Sequence, residues 1–362
     1  MNVVLLKSHS KNLGGLEKYT SRIASFFIQK GCRVTLLSTG PSSYTEIPIV
    51  SMPSAPWPSF IRMEQFDRFV QKWIREHQPE IVFGMDRNRT QTHLRAGNGV
   101  HAAYLQSRLF AEGKRKTFLC RFNPLHRKIL ELEKEGFENP SLQKLFTNSH
   151  MVSSEILNTY NVQQEKVKVV HNGVEWVEME PAFALWEERK NQPFQFLFIG
   201  HGYLRKGLER LLTGLSLLKT QEFHLTVIGR DKNMALFREQ ARRLKLQERI
   251  TFIGPTTDVI PYYQQSDCLV IPSFYDPFAN VTVEALAMGL FVVSSRHNGG
   301  SEVLTSETGV VIEDLLNDDS VKTALEQAMK CPKTRQSAIH IRQSVKHLDF
   351  ANQLTRLMEH CV

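Results

Sequence analysis

Asp276 and Glu284 stand with seven residues between them, in a segment that runs from an apolar stretch ending at Ile271, through a loop, into a second apolar stretch ending before Gly289. The pattern predicts Asp276 in a loop after a strand and Glu284 on the following helix. Carboxylates accept hydrogen bonds from hydroxyls, so one acid can meet sugar hydroxyls and the other a ribose. Between them the first amides of the helix, at Asn280 and Val281, can face a phosphate. An acid near a helix start also favours the helix dipole, which accounts for Asp276 but not for Glu284 in an otherwise apolar helix face. A second loop, Gly200 to Gly207, carries Arg205 and Lys206 next to a helix start. That arrangement concentrates positive charge where a diphosphate can be held, the alternative being a solvated pair of surface bases. A third loop, Ser8 to Leu16, ends in Gly14 and Gly15 directly before a helix, where glycine lets the backbone approach an anion. It is not a GxGxxG fingerprint and is compatible with a purely structural turn.

These loops need strands behind them and helices after them. Short apolar runs alternate along the chain with longer amphipathic ones, the pattern of βα units and a parallel sheet. In the first half the pattern predicts a strand over Asn2–Leu6, a helix over Gly15–Lys30 and a strand over Arg33–Ser38. A helix over Met63–His77 and a strand over Glu80–Phe83 follow. In the second half, strands are expected at Phe194–Ile199, His224–Ile228, Ile250–Ile253, Cys268–Ile271 and Phe291–Ser294. Helices between them are expected at Gly207–Lys219, Met234–Leu246 and Val281–Met288. Repetition of this unit predicts an α/β chain of two doubly wound domains. Residues 1–173 form the first, residues 174–337 the second, and residues 338–362 a C-terminal helix packing back towards the first. The join carries Trp176, Phe183 and Trp186 among acids, so it should pack rather than swing freely. In open α/β sheets ligands sit beyond the carboxyl ends of the strands, which puts the substrate in a central cleft faced by both domains.

The 362 residues exceed what one hydrophobic core usually serves, and 41% hydrophobic content is enough for two. The five cysteines show no CxxC spacing or Cys/His cluster, which argues against a disulfide framework or a zinc site. Val3 to Leu6 is too short for a signal sequence and no run approaches a membrane span, so a cytoplasmic protein is expected. The net charge of +8 favours polyanions without naming one. It is concentrated between Arg108 and Lys128, where Lys114, Arg115, Lys116, Arg121 and Arg127 oppose the single acid Glu112 and are interleaved with Leu109, Phe110, Phe118, Leu119 and Phe122.

The segment around Asp276 and Glu284 resembles the acid-x7-acid signature of the retaining nucleotide-sugar glycosyltransferases of family 4, which have the double-Rossmann GT-B fold. Further matches follow in family order. They are Gly14-Gly15-Leu16-Glu17, His171-Asn172-Gly173-Val174, Arg205-Lys206-Gly207, Val227-Ile228-Gly229 and Gly299-Gly300-Ser301-Glu302. Within the family the chain is most similar to lipopolysaccharide core glucosyltransferases, through Arg95-Ala96-Gly97-Asn98-Gly99-Val100-His101. Two positions depart from the pattern: Asp276 stands where Glu is usual, a reach shorter by one methylene, and Asn98 stands where Asp is usual.

The resemblance implies the roles. Arg205 and Lys206 would bind the donor diphosphate and stabilise the leaving group, where electrostatic catalysis is most effective. Glu284 would take the ribose and Asp276 the transferred sugar. Gly14, Gly15, Gly229, Arg230, Phe278, Ala279, Asn280 and Val281 would complete the donor site, and His101 would polarise or hold the sugar. The reaction implied is metal-independent transfer of a hexose, glucose from UDP-glucose, to a lipopolysaccharide core or similar acceptor. The chain has no Asp-x-Asp motif. With no certain nucleophile, the expected course is front-face attack, the leaving phosphate accepting the acceptor's proton. A lipid-anchored acceptor would bring the Arg108–Lys128 element to an anionic membrane surface at the inner face of the cytoplasmic membrane. The composition suits the headgroup region; the alternative is a solvated helix whose aromatics face the core. A nucleotide-sugar 2-epimerase on the same fold is a second reading. Nucleic-acid binding is suggested by net charge alone, without a recognisable module.

Overall fold

The structure, a computed structural model, describes residues 1–8, 15–40, 47–53, 57–113, 122–189, 192–218 and 222–361. Its contacts divide the chain into two compact units, one of Met1–Val170 with Leu354–Val362 and one of His171–Gln353.

The first unit is built on seven strands: β1 (Asn2–Leu6), β2 (Arg33–Thr39), β3 (Ile49–Met52), β4 (Ile81–Gly84), β5 (His93–Arg95), β6 (Lys144–Thr147) and β7 (Val167–Val169). They pair in the order β3-β2-β1-β4-β5-β6-β7, every pair parallel. The second unit has six: β8 (Phe194–Ile199), β9 (Phe223–Ile228), β10 (Ile250–Gly254), β11 (Cys268–Ile271), β12 (Phe291–Ser295) and β13 (Gly309–Ile312). Their order, β10-β9-β8-β11-β12-β13, is again all parallel. Both are doubly wound Rossmann-like sheets, and in each the strand order reverses once, between β1 and β4 and between β8 and β11. The carboxyl ends of the two strands flanking a reversal are the usual ligand position in such sheets.

Central strands covered on both faces read as unbroken apolar runs rather than alternating ones. Val4, Leu5 and Leu6 are fully buried, as are all four residues of β11. In the first unit one core cluster gathers Leu94, Val100, Leu145, Val152 and Ile156, and another Val4, Leu6, Leu37, Phe66, Val70 and Val82. The strands legible in the sequence are β1, β2, β4 and β8 to β12. β3, β5, β6, β7 and β13, of three or four residues each, are not among those expected, and each is defined by its ladder to a neighbouring strand.

The segment after Val174 packs within the second unit, as its aromatic content requires. Arg342, nearly fully buried, lies over the rings of Trp176 and Phe183 at 4.1 and 4.9 Å, and donates to the Trp176 carbonyl at 2.6 Å and to the Glu180 carboxylate at 2.7 Å. The C-terminal stretch is not the single helix expected. It divides into Arg335–Ser344 and Phe350–Met358, with a 3-10 turn at Lys346–Leu348 between. The break has a cause in pairing: Val174 donates to the Leu348 carbonyl at 2.9 Å and accepts from the Phe350 amide at 2.8 Å, which takes both groups out of a helical ladder. The apolar positions Ile341, Val345, Leu348, Leu354 and Leu357 are nonetheless all buried. No helix among the described residues is long and apolar enough to cross a membrane.

Candidate active site

In the second unit the loop after β8 and the loop after β11 flank the strand reversal, and the structure brings them together. Gly207 adopts a left-handed φ of +77°, and a Cβ there would overlap the carbonyl oxygen of Pro272 at the end of β11. Gly229, with φ +131°, lies so close to Gly200 that a side chain would overlap its carbonyl, which locks the end of β9 against that of β8. Tyr203 pins the loop between them: it is fully buried, its hydroxyl donates to the Gly229 carbonyl at 2.9 Å and its amide to Asp231 at 2.6 Å. Across the reversal, Phe274 N donates to the Arg205 carbonyl at 2.9 Å.

The result is a charge cluster. Lys206 Nζ and Arg205 both donate to Oδ2 of Asp276, the arginine at 3.3 Å, and Arg205 also donates to the Tyr275 carbonyl at 2.8 Å. The Lys206 and Asp276 side chains are each only 10% exposed, so water screens their pairing weakly. Burial by itself raises the Asp276 carboxyl, but Lys206 and Arg205 outweigh it and hold it below the ordinary aspartate range. The two bases and the acid come into contact because β8 and β11 are neighbours in the sheet.

Asp276 itself is fixed by a short parallel bridge to Asn298, with its amide donating to the His297 carbonyl and its carbonyl accepting from Gly299 N, both at 2.9 Å. The helix Asn280–Ala287 starts just beyond, its cap residue Ala279 having no side chain to close it. Phe278 and Ala279 are buried, Val281 is half-buried and Asn280 exposed. Asn280 accepts from Asn172 Nδ2 at 2.7 Å, and Phe278 lies beside the His171 ring at 5.8 Å. Glu284 is half-buried in the middle of this helix, and its Oε2 accepts the Tyr263 hydroxyl at 2.8 Å. Arg230 directs its side chain to solvent, while its amide donates to Nδ1 of His201 at 3.0 Å.

Three residues absent from the sequence reading shape this site. Tyr203 and Tyr263 give no signal beyond that of buried aromatics. Asn298 is a fully buried hub whose Oδ1 accepts from Ala279 N and Gly300 N, both at 3.0 Å, and whose amide donates to Ser294 at 2.9 Å and Thr282 at 3.3 Å. Its place before the Gly299-Gly300 turn is the one hint available, since asparagine bonds readily to backbone two residues on.

His101 belongs to the first unit and opens the helix His101–Glu112 after β5. That helix has no cap from Val100. Its first amide instead donates to both oxygens of the buried Glu133, at 2.8 and 3.0 Å, and Glu133 also accepts from Arg87 and from the Tyr160 hydroxyl, each at 2.7 Å. The His101 ring is buried and its Nε2 lies 3.0 Å from Nδ1 of His126. Burial, followed by Arg87 and His126, pushes the His101 imidazole down to about 4, so it is neutral near pH 7. Asn98 is exposed beside it in the chain. Gly14 lies outside the described residues, and Gly15 begins the helix Gly15–Gln29.

Of the Arg108–Lys128 element, residues 114–121 lie outside the described residues. On either side of them Leu109, Phe110 and Phe122 are 41%, 63% and 70% exposed, so these side chains do not face a core. Lys128 is no free base: it bonds Glu131 at 2.8 Å and Glu64 at 3.2 Å, acids that the linear count around Glu112 did not include.

The family model described as Glycosyltransferase Family 4 matches residues 13–175, and that described as Glycosyl transferases group 1 matches residues 184–344. The chain is 23% identical over 335 residues to the lipopolysaccharide glucosyltransferase WaaG of Escherichia coli, covering 87% of this chain and 86% of that protein. To an uncharacterized glycosyltransferase of Methanocaldococcus jannaschii it is 26% identical over 198 residues, 51% of this chain and 50% of the relative, so it matches about half of that protein's length. Among solved structures, the crystal structure of WaaG superposes with a TM-score of 0.79 at 20% identity, over 99% of this chain and 98% of that one. The Anabaena HepE protein in complex with UDP and glucose gives 0.67 at 16% identity, over 100% and 99%. With a family model on each half and the fold shared end to end, the chain is a glycosyltransferase of the GT-B fold, belonging over its first half to glycosyltransferase family 4 and over its second to the group 1 glycosyl transferases.

Proposed function

We propose that the protein transfers glucose from UDP-glucose to a lipopolysaccharide core or similar saccharide acceptor, with retention of configuration and without a metal ion. The observation that carries this reading is the Lys206–Arg205–Asp276 cluster at the strand reversal, beside the open N-terminus of the helix Asn280–Ala287. A diphosphate placed there meets two cations and backbone amides, which together neutralise the charge that a divalent cation would otherwise take. The lipopolysaccharide glucosyltransferase activity of WaaG and the UDP and glucose held by HepE support the choice of donor and acceptor.

In the mechanism proposed, Glu284 accepts the ribose hydroxyls and Asp276 those of the glucose. Gly229, Arg230, Phe278, Ala279, Asn280 and Val281 line the donor site. The acceptor oxygen bonds to the anomeric carbon from the face the diphosphate leaves. The carbon–phosphate-oxygen bond breaks, and the departing phosphate oxygen takes the acceptor's proton. Lys206 and Arg205 stabilise the charge on that oxygen as the bond lengthens, the stage at which electrostatic stabilisation accelerates the reaction. Neutral His101 offers the sugar one hydrogen-bonding nitrogen without adding charge.

The protein works in the cytoplasm at the inner face of the membrane, through the Arg108–Lys128 element. The exposure of Leu109, Phe110 and Phe122 next to a basic stretch supports this, since such side chains settle in the headgroup region while the bases meet anionic lipid. The test is incubation with UDP-, ADP- and GDP-glucose, with and without a truncated lipopolysaccharide core, with and without EDTA, and analysis of products by NMR. The expected result is UDP release and an α-linked product only when acceptor is present, unchanged by chelation and mostly lost in Glu284→Ala. A new UDP-sugar formed without acceptor, or transfer restored only by Mn²⁺ after EDTA, refutes the reading.

A further inference from the structure

Tyr263 sits in the short helix Ile260–Gln265 and is wholly buried, so it cannot touch a substrate. Both ends of the residue are nonetheless engaged. The hydroxyl donates to Oε2 of Glu284 at 2.8 Å. The backbone carbonyl accepts from Nζ of Lys333 at 3.1 Å, and Lys333 is itself buried, with its amine 4.5 Å over the Trp186 ring. Lys333 N in turn donates to Asp267 at 3.2 Å, and Asp267 also accepts from Gln195 N at the start of β8 at 2.8 Å. The tyrosine is therefore anchored to the sheet through the lysine on one side and reaches the middle of the helix Asn280–Ala287 on the other. Burial, then the neighbouring carboxylate, pushes its hydroxyl well above the usual phenol range, which keeps the proton on the oxygen and the group a donor.

A glutamate on a helix face has three side-chain torsions to order before its carboxylate can receive two vicinal hydroxyls, and holding one oxygen in advance removes part of that entropic cost. We infer that Tyr263 is a positioning residue for the donor: its hydroxyl fixes the plane of the Glu284 carboxylate in the orientation that receives the ribose. The inference rests on the assignment of Glu284 to the ribose made above. Tyr263 acts only through Glu284, so its contribution must appear on the ribose hydroxyls and nowhere else on the nucleotide.

The experiment measures, by calorimetry, binding of whichever of UDP, ADP and GDP the wild type holds tightest, and of the 2′,3′-dideoxy form of the same nucleotide. It uses the full chain in four forms: wild type, Tyr263→Phe, Glu284→Gln and the double variant. Wild type should prefer the ribose form. Tyr263→Phe should weaken the ribose form about tenfold, equivalent to about 1.4 kcal/mol. It should alter the dideoxy form less than about twofold, and add nothing further in the Glu284→Gln background, as expected for two residues acting as one unit. Equal losses on both nucleotides mean that the hydroxyl merely supports the fold, and no loss on the ribose form means that it does nothing for the donor; either overturns the inference. Wild type and Glu284→Gln, which leaves the tyrosine ring in place, test the underlying assignment independently. No discrimination in wild type, or discrimination that survives in Glu284→Gln, removes the ribose assignment and this inference with it. Discrimination lost in Glu284→Gln but intact in Tyr263→Phe overturns this inference alone.

Discussion

Replacing the two partners of the buried ion pair should have different effects on nucleotide binding. Lys206→Gln leaves Asp276 with Arg205 alone, at 3.3 Å. A buried charge deprived of its only partner costs about 3–5 kcal/mol, and the remaining arginine reduces that to about 2 kcal/mol. For a domain of this size that lowers Tm by about 4–8 °C, so the variant still folds at working temperature. Its binding of UDP should fall by about 10- to 150-fold, the equivalent of the 1.5–3 kcal/mol of one charge-assisted hydrogen bond to phosphate. Asp276→Asn instead removes the anion that already occupies Lys206 and Arg205. UDP then meets two cations with no carboxylate competing for them, so affinity should stay level or rise, while transfer falls because the charged acceptor for the sugar hydroxyls is gone. Calorimetry with UDP, together with initial rates of UDP release from UDP-glucose, separates the two. If Asp276→Asn loses as much UDP affinity as Lys206→Gln, the acid serves to hold the lysine in place, and the division between sugar and diphosphate is wrong.

His101 should titrate near 4, below its ordinary value of 6.5, so the folded first unit binds fewer protons than the unfolded chain between those limits. Its contribution to stability is complete above about pH 6.5 and declines as pH falls towards 4. An NMR midpoint for the His101 ring near 6.5 would disprove the burial argument. Arg342→Ala should cost about 3 kcal/mol in thermal unfolding, chiefly through stranded carbonyls of Trp176 and Ala287 and lost stacking, since the Glu180 side chain is more than half exposed. A Tm within 1–2 °C of wild type on the order-of-magnitude scale for this domain size would contradict that role. The double substitution Phe110→Ser with Phe122→Ser should reduce sedimentation with anionic liposomes and leave Tm unchanged, because both rings are already exposed. Unaltered liposome binding would exclude them as the contact.

How much of this was legible in the sequence depended on how local each feature is. The acid pair at Asp276 and Glu284, the Arg205-Lys206 loop and the Gly299-Gly300 turn are each contained in one βα connection, and reading them required only the order of residues. The partners of those residues are not local. Tyr263 and Glu284 are separated by 21 positions with a whole strand between them, and Glu133 reaches the amide of His101 from 32 positions away. A glutamate in an amphipathic helix carries no mark that it will cap a different helix. The same holds for the break in the C-terminal helix: its apolar spacing is right for one continuous helix, and the interruption comes from Val174 competing for the backbone groups of Leu348 and Phe350.

By itself the sequence determined the alternation of strand and helix, because unbroken apolar runs such as Cys268–Ile271 are stable only between two layers of helix. It also determined the loop chemistry, because glycine, arginine, lysine and aspartate follow those runs directly. The tertiary structure alone decided which loops meet. Lys206 and Asp276 lie 70 positions apart and come into contact because β8 and β11, though not consecutive, are neighbours in the sheet. Strand order is set by the packing of every connecting helix at once, and no short stretch of residues encodes it.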